Sequence, residues 1–453
     1  MSSKKAFSRV FLPVLSVLIV LIFVSLSFAA PSPFMPSANG EICASDQVLV
    51  KFKPGTAKND IEKVHLQNKG KVSQIIPDIN VQVVKVDKNK VLEKVSAYQR
   101  NPNVEFAEPD YLARAVSIPN DVYFGLQFSP DVRRPTTDDR VSIPNDVYFG
   151  LQWGLHNTGQ TGGTPDADID APEAWDITKG SKKIKIAVLD TGIDQDHEDL
   201  VSKIVLNKNF TSSKTADDMF GHGTHVAGIA AANTNNNKGV AGTGYNCPLM
   251  NIKVLGDDGS GYYSWVTRGI IWSVFRGAKV INMSLAGDQP SRTLEMAVDF
   301  AWRRGTVIVT AAGNEGCSTP AYPAFYQNCI AVGATNDNDT RSSFSNYGDW
   351  VDLAAPGGEI DPETGSIISG IYSTTPNHES FLNQYGIALN YDYLIGTSMA
   401  SPHVAGIAAL VMSKYPGISN VKVRDMVEKG IDPAAGFDPP VGRVNAHKAL
   451  SLD

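Results

Sequence analysis

The sequence predicts an α/β protein built on a parallel sheet, preceded by a small α+β domain. From Ala171 onward, short β-branched segments alternate with segments of helical spacing, which is typical of a parallel sheet covered by helices on both faces. Before that, residues 43–115 alternate strand and helix patterns in a βαββαβ-like order, which indicates a ferredoxin-like fold.

Each predicted element rests on its own apolar pattern. In the small domain the strands are Gln47–Phe52, Asn80–Val86 and Val104–Glu108, and the helices are Asn59–Asn68 and Lys88–Arg100. In the larger part the strands are Ile184–Leu189, Met250–Leu255, Val280–Met283, Val307–Thr310, Ile330–Val332 and Trp350–Ala354, and the helices are Thr224–Ala232, Ser264–Arg276 and Leu294–Arg304. Functional residues in such folds lie at the carboxyl ends of the strands.

Composition and charge narrow the possible partners. Of the 453 residues, 42% are hydrophobic and 19% charged, as in globular proteins. Residues 1–140 carry 18 basic and 14 acidic side chains, whereas residues 141–453 carry 22 and 33. An acidic larger part without a basic tract argues against binding to nucleic acid or to anionic membranes.

Residues 1–30 have the pattern of a signal peptide. Lys4, Lys5 and Arg9 precede an apolar run over residues 10–28, and small residues follow at 27–30. A membrane anchor is the alternative, since about 19 apolar residues could just span a bilayer. The small residues and the Pro-rich stretch Pro31–Pro36 favour cleavage, and we therefore expect a secreted, extracellular protein without stable membrane association.

Export changes the interpretation of the four cysteines. Cys317 and Cys329 lie twelve residues apart in a Gly/Ser/Pro/Tyr-rich segment, where they either close a loop disulfide or remain buried thiols. No Cys/His spacing indicates zinc, so any metal should be bound by oxygen.

A twelve-residue segment occurs twice. Val116–Gln127 recurs without change as Val141–Gln152, and Phe128–Arg140 between the copies is rich in Pro, Asp and Arg. Two copies do not make a solenoid. We interpret residues 116–140 as a duplicated junction between domains.

Three loops carry the residue types of a serine triad. Asp190 ends an apolar strand, His222 lies between glycines in Gly221–Gly228, and Ser398 lies in Gly396–Gly406. Singly, such residues also fit turns and helix caps. Together, an acid, an imidazole and a hydroxyl at element termini point to nucleophilic catalysis, and the order Asp, His, Ser is a known order of this triad. A lipase or esterase would need a G-x-S-x-G elbow and the order Ser, Asp, His, which the chain lacks.

These loops, with the segment Ala311–Gly316, resemble the subtilisin-like serine proteases (subtilases), in pattern the thermitase-like members. The resemblance covers about residues 141–450, and residues 43–115 resemble the inhibitory propeptide of the family. It implies a subtilisin-like three-layer sandwich over residues 141–453. It also implies that Asp190 orients His222, that His222 is the general base and acid, that Ser398 is the nucleophile, and that Asn314 and the Ser398 N–H stabilise the oxyanion. His225 and His403 are then structural.

The resemblance also implies how a peptide substrate binds. Leu255–Gly261 and Met283–Ala286 resemble the two edges between which a substrate lies as an added strand. The implied substrate-binding residues are Gly259, Ser260, Gly261, Tyr263 over the P4 pocket, and Ser284, Leu285, Ala286, Ala311, Ala312 and Gly313 around the P1 pocket. Ala286 stands where the family usually has glycine, so its methyl group narrows the P1 pocket mouth. The Asp257-Asp258 pair either favours basic substrates or belongs to a solvated loop.

A calcium site is implied as well. The matching ligands are the side chains of Asp146, Asp199 and Asn236 and the carbonyl groups of Asn233, Lys238 and Val240. Such hard oxygen ligands suit Ca²⁺, although Asn233–Gly239 is alternatively just a polar turn. Because only the second copy continues into Trp153-Gly-Leu-His, we expect Asp146 rather than Asp121 to bind calcium. The acidic stretch Gly357–Tyr393 either holds a second ion or shapes the prime side of the cleft.

The expected function is that of a secreted, monomeric serine endopeptidase made as a self-processing zymogen. Its substrates are proteins and peptides, and its own propeptide acts as intramolecular inhibitor and folding aid. Processing is expected near Arg140 or upstream. A catalytically silent binding protein is the alternative, and the complete set Asp190, His222, Ser398 and Asn314 speaks against it.

Overall fold

The N-terminal part of the chain contains a four-stranded antiparallel sheet. The computed structural model describes residues 42–116, 141–360 and 367–452. The strand order of this sheet is β4-β1-β3-β2, and the βαββαβ order confirms the ferredoxin-like prediction. Strand β2 was not predicted, because most of its side chains are exposed. The elements are β1 Cys43–Phe52, α1 Lys58–Gln67, β2 Lys71–Ile76, β3 Val81–Lys85, α2 Val91–Gln99 and β4 Val104–Ala115.

This small sheet is covered on both faces. Successive side chains of a strand point to opposite faces. Val48 and Val50 of β1 therefore pack in one cluster with Val64 of α1 and Val95 of α2. Leu49 points the other way, into a cluster that is shared with the larger part of the chain. Burial on both faces explains why Val48, Leu49 and Val50 are apolar in succession.

The larger sheet lies within residues 141–452, with strand order β18-β19-β13-β12-β11-β9-β5-β7-β6. Its neighbouring strands are parallel except β18 and β19, which confirms the predicted parallel sheet. The elements, in chain order, are α3 Ala171–Ile177, β5 Lys185–Asp190, β6 Ile204–Asn209, α4 His222–Ala231, β7 Leu249–Lys253, β8 Ser260–Tyr262, α5 Tyr263–Phe275, β9 Ala278–Met283, β10 Leu285–Ala286, α6 Arg292–Arg303, β11 Val307–Ala311, β12 Ile330–Thr335, β13 Leu353–Pro356, β14 Glu359–Ile360, β15 Ile367–Ser369, β16 Ile371–Thr374, β17 Tyr391–Leu394, α7 Thr397–Lys414, α8 Asn420–Lys429, β18 Ile431–Pro433, β19 Gly442–Val444 and α9 Ala446–Ser451.

Helices cover both faces of this sheet. In β5, Ile186 and Val188 join the cluster formed by α4 and α7, whereas Ala187 and Leu189 join the cluster formed by α5 and α6. The alternation of side chains along a strand thus sends neighbouring residues into two separate cores. This three-layer arrangement confirms the predicted fold class.

Two carboxylates of β4 bind the N-termini of helices in the larger part. Glu108 accepts hydrogen bonds from the N–H groups of Arg292 and Thr293, at 3.0 and 2.9 Å, at the start of α6. Asp110 accepts from the N–H and the hydroxyl of Ser264 at the start of α5, at 2.9 and 2.7 Å. The first N–H groups of a helix have no partner inside it, and its dipole favours negative charge there. These contacts therefore hold β4 against α5 and α6.

Some sequence predictions fall outside the described residues. The signal-peptide segment at residues 1–30 and, except for Val116, the first repeat copy with Asp121 lie there. The second copy is described in full, and its Phe149 is buried in the core. Among the described residues, no helix is both long enough and apolar enough to cross a membrane.

Candidate active site

Asp190 and His222 form a fully buried pair. Asp190 is the last residue of β5 and His222 is the first residue of α4, so each lies at the terminus of an element. His222 Nδ1 lies 2.7 Å from Asp190 Oδ1, and neither side chain is exposed to solvent. A carboxylate at Nδ1 favours the tautomer with the proton on that nitrogen, which leaves Nε2 free to accept a proton.

Close backbone contacts hold this pair in place. A Cβ atom on Gly223 would lie 2.1 Å from the Gly192 carbonyl oxygen, so only glycine fits beside the end of β5. The hydroxyl of Thr191 accepts from the Gly223 N–H, 2.9 Å, and donates to Asp218 Oδ1, 2.8 Å. The other oxygen of Asp218 accepts from the N–H and the hydroxyl of Thr224. The start of α4 is thereby fastened to the end of β5.

Ser398 is the second residue of α7, a helix that packs against α4. Its hydroxyl donates to the Ser284 carbonyl oxygen at 3.1 Å. His222 Nε2 is buried and has no hydrogen-bond partner among the described residues. The serine and the histidine are therefore not hydrogen-bonded to each other in this state. Catalytic hydrogen bonds are often long before the substrate is bound productively, and tighten later.

Asn314 lies three residues after β11, with its amide held in one orientation. Its Oδ1 accepts from the N–H and the hydroxyl of Thr397, at 2.9 and 2.8 Å. Because the oxygen is occupied in this way, the Nδ2 group points the other way. It donates to the carbonyl oxygen of Val116 at 3.1 Å. The side-chain amide thus binds a peptide carbonyl of the chain itself.

The segment from Leu112 to Val116 lies as a strand between two edges. On one side β4 pairs antiparallel with β8, and on the other with β10. The Ala115 N–H donates to the Gly259 carbonyl, 3.0 Å, and the Val116 N–H to the Ser284 carbonyl, 3.3 Å. The edges are those that the sequence predicts to bind a substrate: Gly259, Ser260, Gly261, Ser284, Leu285 and Ala286.

Val116 fills a small apolar pocket. Its side chain is 3% exposed and packs in a cluster with Ala286, Ala311 and Ala321, bordered by Trp350. Ala312 and Gly313, which the sequence predicts in the wall of the P1 pocket, directly follow β11 and are buried. Sequence reasoning missed Ala321 and Trp350, which come from separate loops. Three alanines give a shallow pocket suited to a β-branched side chain.

Tyr263 and Ala113 belong to a second apolar cluster along the same strand. Both are fully buried, together with Leu285. The Tyr263 hydroxyl donates to the Gln289 carbonyl oxygen at 2.9 Å. The position where the sequence predicts a P4 pocket is thus occupied by Ala113, three residues before Val116.

The predicted calcium ligands lie together. Asp146 accepts from the N–H groups of Asn235 and Asn236, and Asp199 accepts from the Asn236 side chain and the Val240 N–H. Burial, with the nearby charge of Asp199, raises the pKa of Asp146 to about 6. Two buried carboxylates side by side are oxygen donors that suit a hard cation. Asn233 bonds to the Asp199 carbonyl through its N–H, and the Lys238 N–H bonds to Asn236 Oδ1.

Two further acidic groups were missed by sequence reasoning. Asp194, Asp217 and His378 have ligand atoms within 4.8 Å of one another, as do Asp166, Asp168 and Asp170. The first group combines three distant segments, so no local pattern shows it. In the stretch Gly357–Tyr393, Glu359 and Asp392 are occupied by hydrogen bonds within the chain.

The remaining polar residues have local partners. His225 lies 3.1 Å from the Asp392 carbonyl and His403 lies 2.9 Å from the Met399 carbonyl, and burial lowers their pKa to about 3 and about 4. Asp257 forms an ion pair with buried Lys253 at 3.0 Å. Cys317 and Cys329 are free thiols, of which Cys329 is buried.

Comparison with known proteins identifies two matching family profiles and several relatives. The profile of the subtilase family, peptidase S8, matches residues 181–442, and that of the fervidolysin N-terminal prodomain matches residues 34–110. The chain is 38% identical to a thermophilic serine proteinase of Bacillus sp. (strain AK1), over 89% of this chain and 87% of that protein. It is 45% identical to thermitase of Thermoactinomyces vulgaris, over 62% and 93%.

A solved structure has a similar fold over most of this chain. Fervidolysin from Fervidobacterium pennivorans, a keratinolytic enzyme related to subtilisin, superposes with a TM-score of 0.70 at 26% identity, covering 92% of this chain and 62% of that one. The chain belongs to the subtilase family of serine proteases and carries a fervidolysin-like N-terminal prodomain.

Proposed function

We propose that this serine protease is an exported endopeptidase made as a zymogen that cleaves itself after Val116. The observation that carries the proposal is the hydrogen bond from Asn314 Nδ2 to the Val116 carbonyl oxygen, 3.1 Å, at the end of a strand that fills the cleft. The prodomain at residues 43–115 is then both the first substrate and the inhibitor. The catalytic domain begins at residue 141.

Ser398 is the proposed nucleophile and His222 its base. The Ser398 hydroxyl turns from the Ser284 carbonyl towards His222 Nε2, gives up its proton there, and attacks the carbonyl carbon of Val116. The imidazolium that forms is stabilised by the Asp190 carboxylate at Nδ1. Breaking the peptide C–N bond returns this proton to the leaving amine, and water then releases the acyl group from Ser398.

Asn314 is the proposed oxyanion donor, with the Ser398 N–H as the second donor. Ser398 lies in the first turn of α7, where N–H groups have no acceptor within the helix. Thr397 keeps the Asn314 amide oxygen away from the anion. Such fixed donors act on charge that develops only in the transition state, so they raise kcat more than they lower KM.

Peptide and protein substrates replace residues 112–116 after processing. Pairing to β8 and β10 uses backbone groups, which tolerate many sequences, so the pockets around Ala286 and Tyr263 select side chains. The shallow pocket that holds Val116 favours small or β-branched residues over large aromatic ones. Export rests on the signal-peptide pattern of residues 1–30. The mature enzyme is then an extracellular monomer.

Calcium is proposed to bind at Asp146 and Asp199, with Asn236 and the carbonyl groups of Asn233, Lys238 and Val240. When bound, the ion would neutralise the two carboxylates and tie the second repeat copy to the loop after α4. Its role would be structural, and the triad chemistry does not pass through it. The Asp194 and Asp166 groups are not assigned to calcium.

Ser398→Ala should abolish peptide hydrolysis and leave the precursor uncleaved, because the nucleophile and the processing activity are the same group. Intact mass spectrometry of purified protein measures this. Ser413→Ala, whose hydroxyl donates to the Ala409 carbonyl in the same helix, is the control and should process normally. Loss of the first hundred residues from pure Ser398→Ala protein would rule out self-processing.

Asn314→Ala should lower kcat by about 10²–10³ with little change in KM. Asn314→Asp should be worse, because it presents a negative charge to the developing anion. Steady-state kinetics on a peptide nitroanilide measure both variants. Asn328→Ala, which removes an amide that donates to Asp299, should behave like the wild type. A raised KM at unchanged kcat would contradict the assignment of Asn314.

Removal of calcium should lower the melting temperature without changing the triad. A ligand at a thousandfold excess over its Kd stabilises the folded state by about 4 kcal/mol. Melting of the Ser398→Ala protein, which cannot digest itself, should be measured with calcium and with EDTA. Asp199→Asn should need more calcium for the same melting temperature, and the control Asp299→Asn, at a half-buried carboxylate of α6, should not. Equal melting with calcium and EDTA would refute the site.

A further inference from the structure

The repeat begins at the residue whose carbonyl group is held by Asn314. Val116 is the first residue of the copy 116–127, and Val141 is the first residue of the copy 141–152. The bond after Val116 and the bond after Val141 therefore have the same residue on the acyl side and the same eleven residues on the leaving side. The duplication has therefore copied the leaving side of the proposed processing bond, together with the valine before it.

We propose that the Val141–Ser142 bond is a second processing site, cut by another molecule of the mature enzyme. This inference rests on the proposed function. The peptide C–N bond breaks and one water molecule is consumed, with a carboxylate left on Val141 and an amine on Ser142. The first cut removes the prodomain, and the second releases residues 117–141.

The position of this bond in the fold allows it to be cut. Val141 is half-buried and Ser142 is exposed. The described hydrogen bonds that fasten this segment begin at Asn145, whose N–H donates to Asn235 Oδ1 at 3.1 Å and whose Oδ1 accepts from the Asn237 N–H at 2.9 Å. Cleavage needs Ser142–Pro144 to lift away, which withdraws Ile143 from the main core and exposes buried Pro144. The product keeps Asn145 and Asp146 in place.

The acyl sides of the two bonds differ, and this difference sets their order. Three residues before Val116 is Ala113, which is buried with Tyr263 and Leu285. Three residues before Val141 is Asp138. Placing a carboxylate in that apolar cluster is costly. The bond after Val116 is also already held in the cleft of its own molecule. It should be cut first, and the bond after Val141 later and more slowly.

The test follows the amino termini that appear during maturation of the wild-type precursor at several protein concentrations. N-terminal sequencing and intact mass should find Ser117 first, at a rate that does not depend on concentration. Ser142 should follow at a rate proportional to concentration, since a second molecule makes that cut. Asp138→Ala should speed the second cut by about tenfold, the equivalent of about 1.4 kcal/mol.

Val141→Asp should leave the Ser117 terminus and remove the Ser142 terminus, because a carboxylate does not fit the alanine-lined pocket. Val132→Asp makes the same change between the repeats and should leave both termini. A mature enzyme that keeps Ser117, or a Ser142 terminus that persists in Val141→Asp, would overturn the second site. Absence of the Ser117 terminus, with no hydrolysis of any peptide, would instead refute the proposed function.

Discussion

The pairing of residues 112–116 with both edges of the cleft is the interaction on which the rest of the structure depends. It makes one strand, β4, a member of the prodomain sheet at its start and an occupant of the active site at its end. Backbone pairing alone does not fix register, because a strand can slide by two residues and keep its faces. Side-chain contacts must therefore fix the register and with it the residue whose carbonyl group reaches Asn314.

Glu108 and Asp110 fix the register of this strand. They lie two residues apart on β4, so they point to the same face, and each is bound at the start of a different helix. Burial raises the pKa of Asp110 to about 7, although its bonds to Ser264 act in the opposite direction. A carboxyl group so buried is costly to misplace. From Asp110 to Val116 the strand spans roughly 20 Å. The two carboxylates thus set which carbonyl group of the strand reaches Asn314.

Much of this arrangement could be predicted from sequence, for identifiable reasons. Asp190, His222 and Ser398 lie at the ends of elements whose apolar periodicity is strong, and Asp190 and His222 meet where β5 ends beside the start of α4. Glu108 looked like the end of a strand, because the residues after it form no pattern of their own. Pro109 and Tyr111 pair with β1, and residues 112–115 become strand by pairing with β8 and β10. Tertiary contact thus extends β4 to Ala115, and local sequence does not encode it.

Other features were beyond local patterns. Trp350 and Ala321 border the Val116 pocket from loops far apart in the chain, and the predicted strand at Trp350 begins instead at Leu353. The two repeat copies are identical, so only their flanking sequences and the fold separate them: Val116 lies in the cleft and Asp146 lies against Asn235 and Asn236. A repeated sequence therefore serves two sites at once.

The most direct measurement is the mass of the N-terminal fragment that is released first from a precursor with one alanine inserted between Ala113 and Arg114. If the carboxylates fix the register, the sixth residue after Asp110 is then Ala115, and the fragment should end there. If the pocket alone selected the residue, the fragment would still end at Val116. That result would contradict the account.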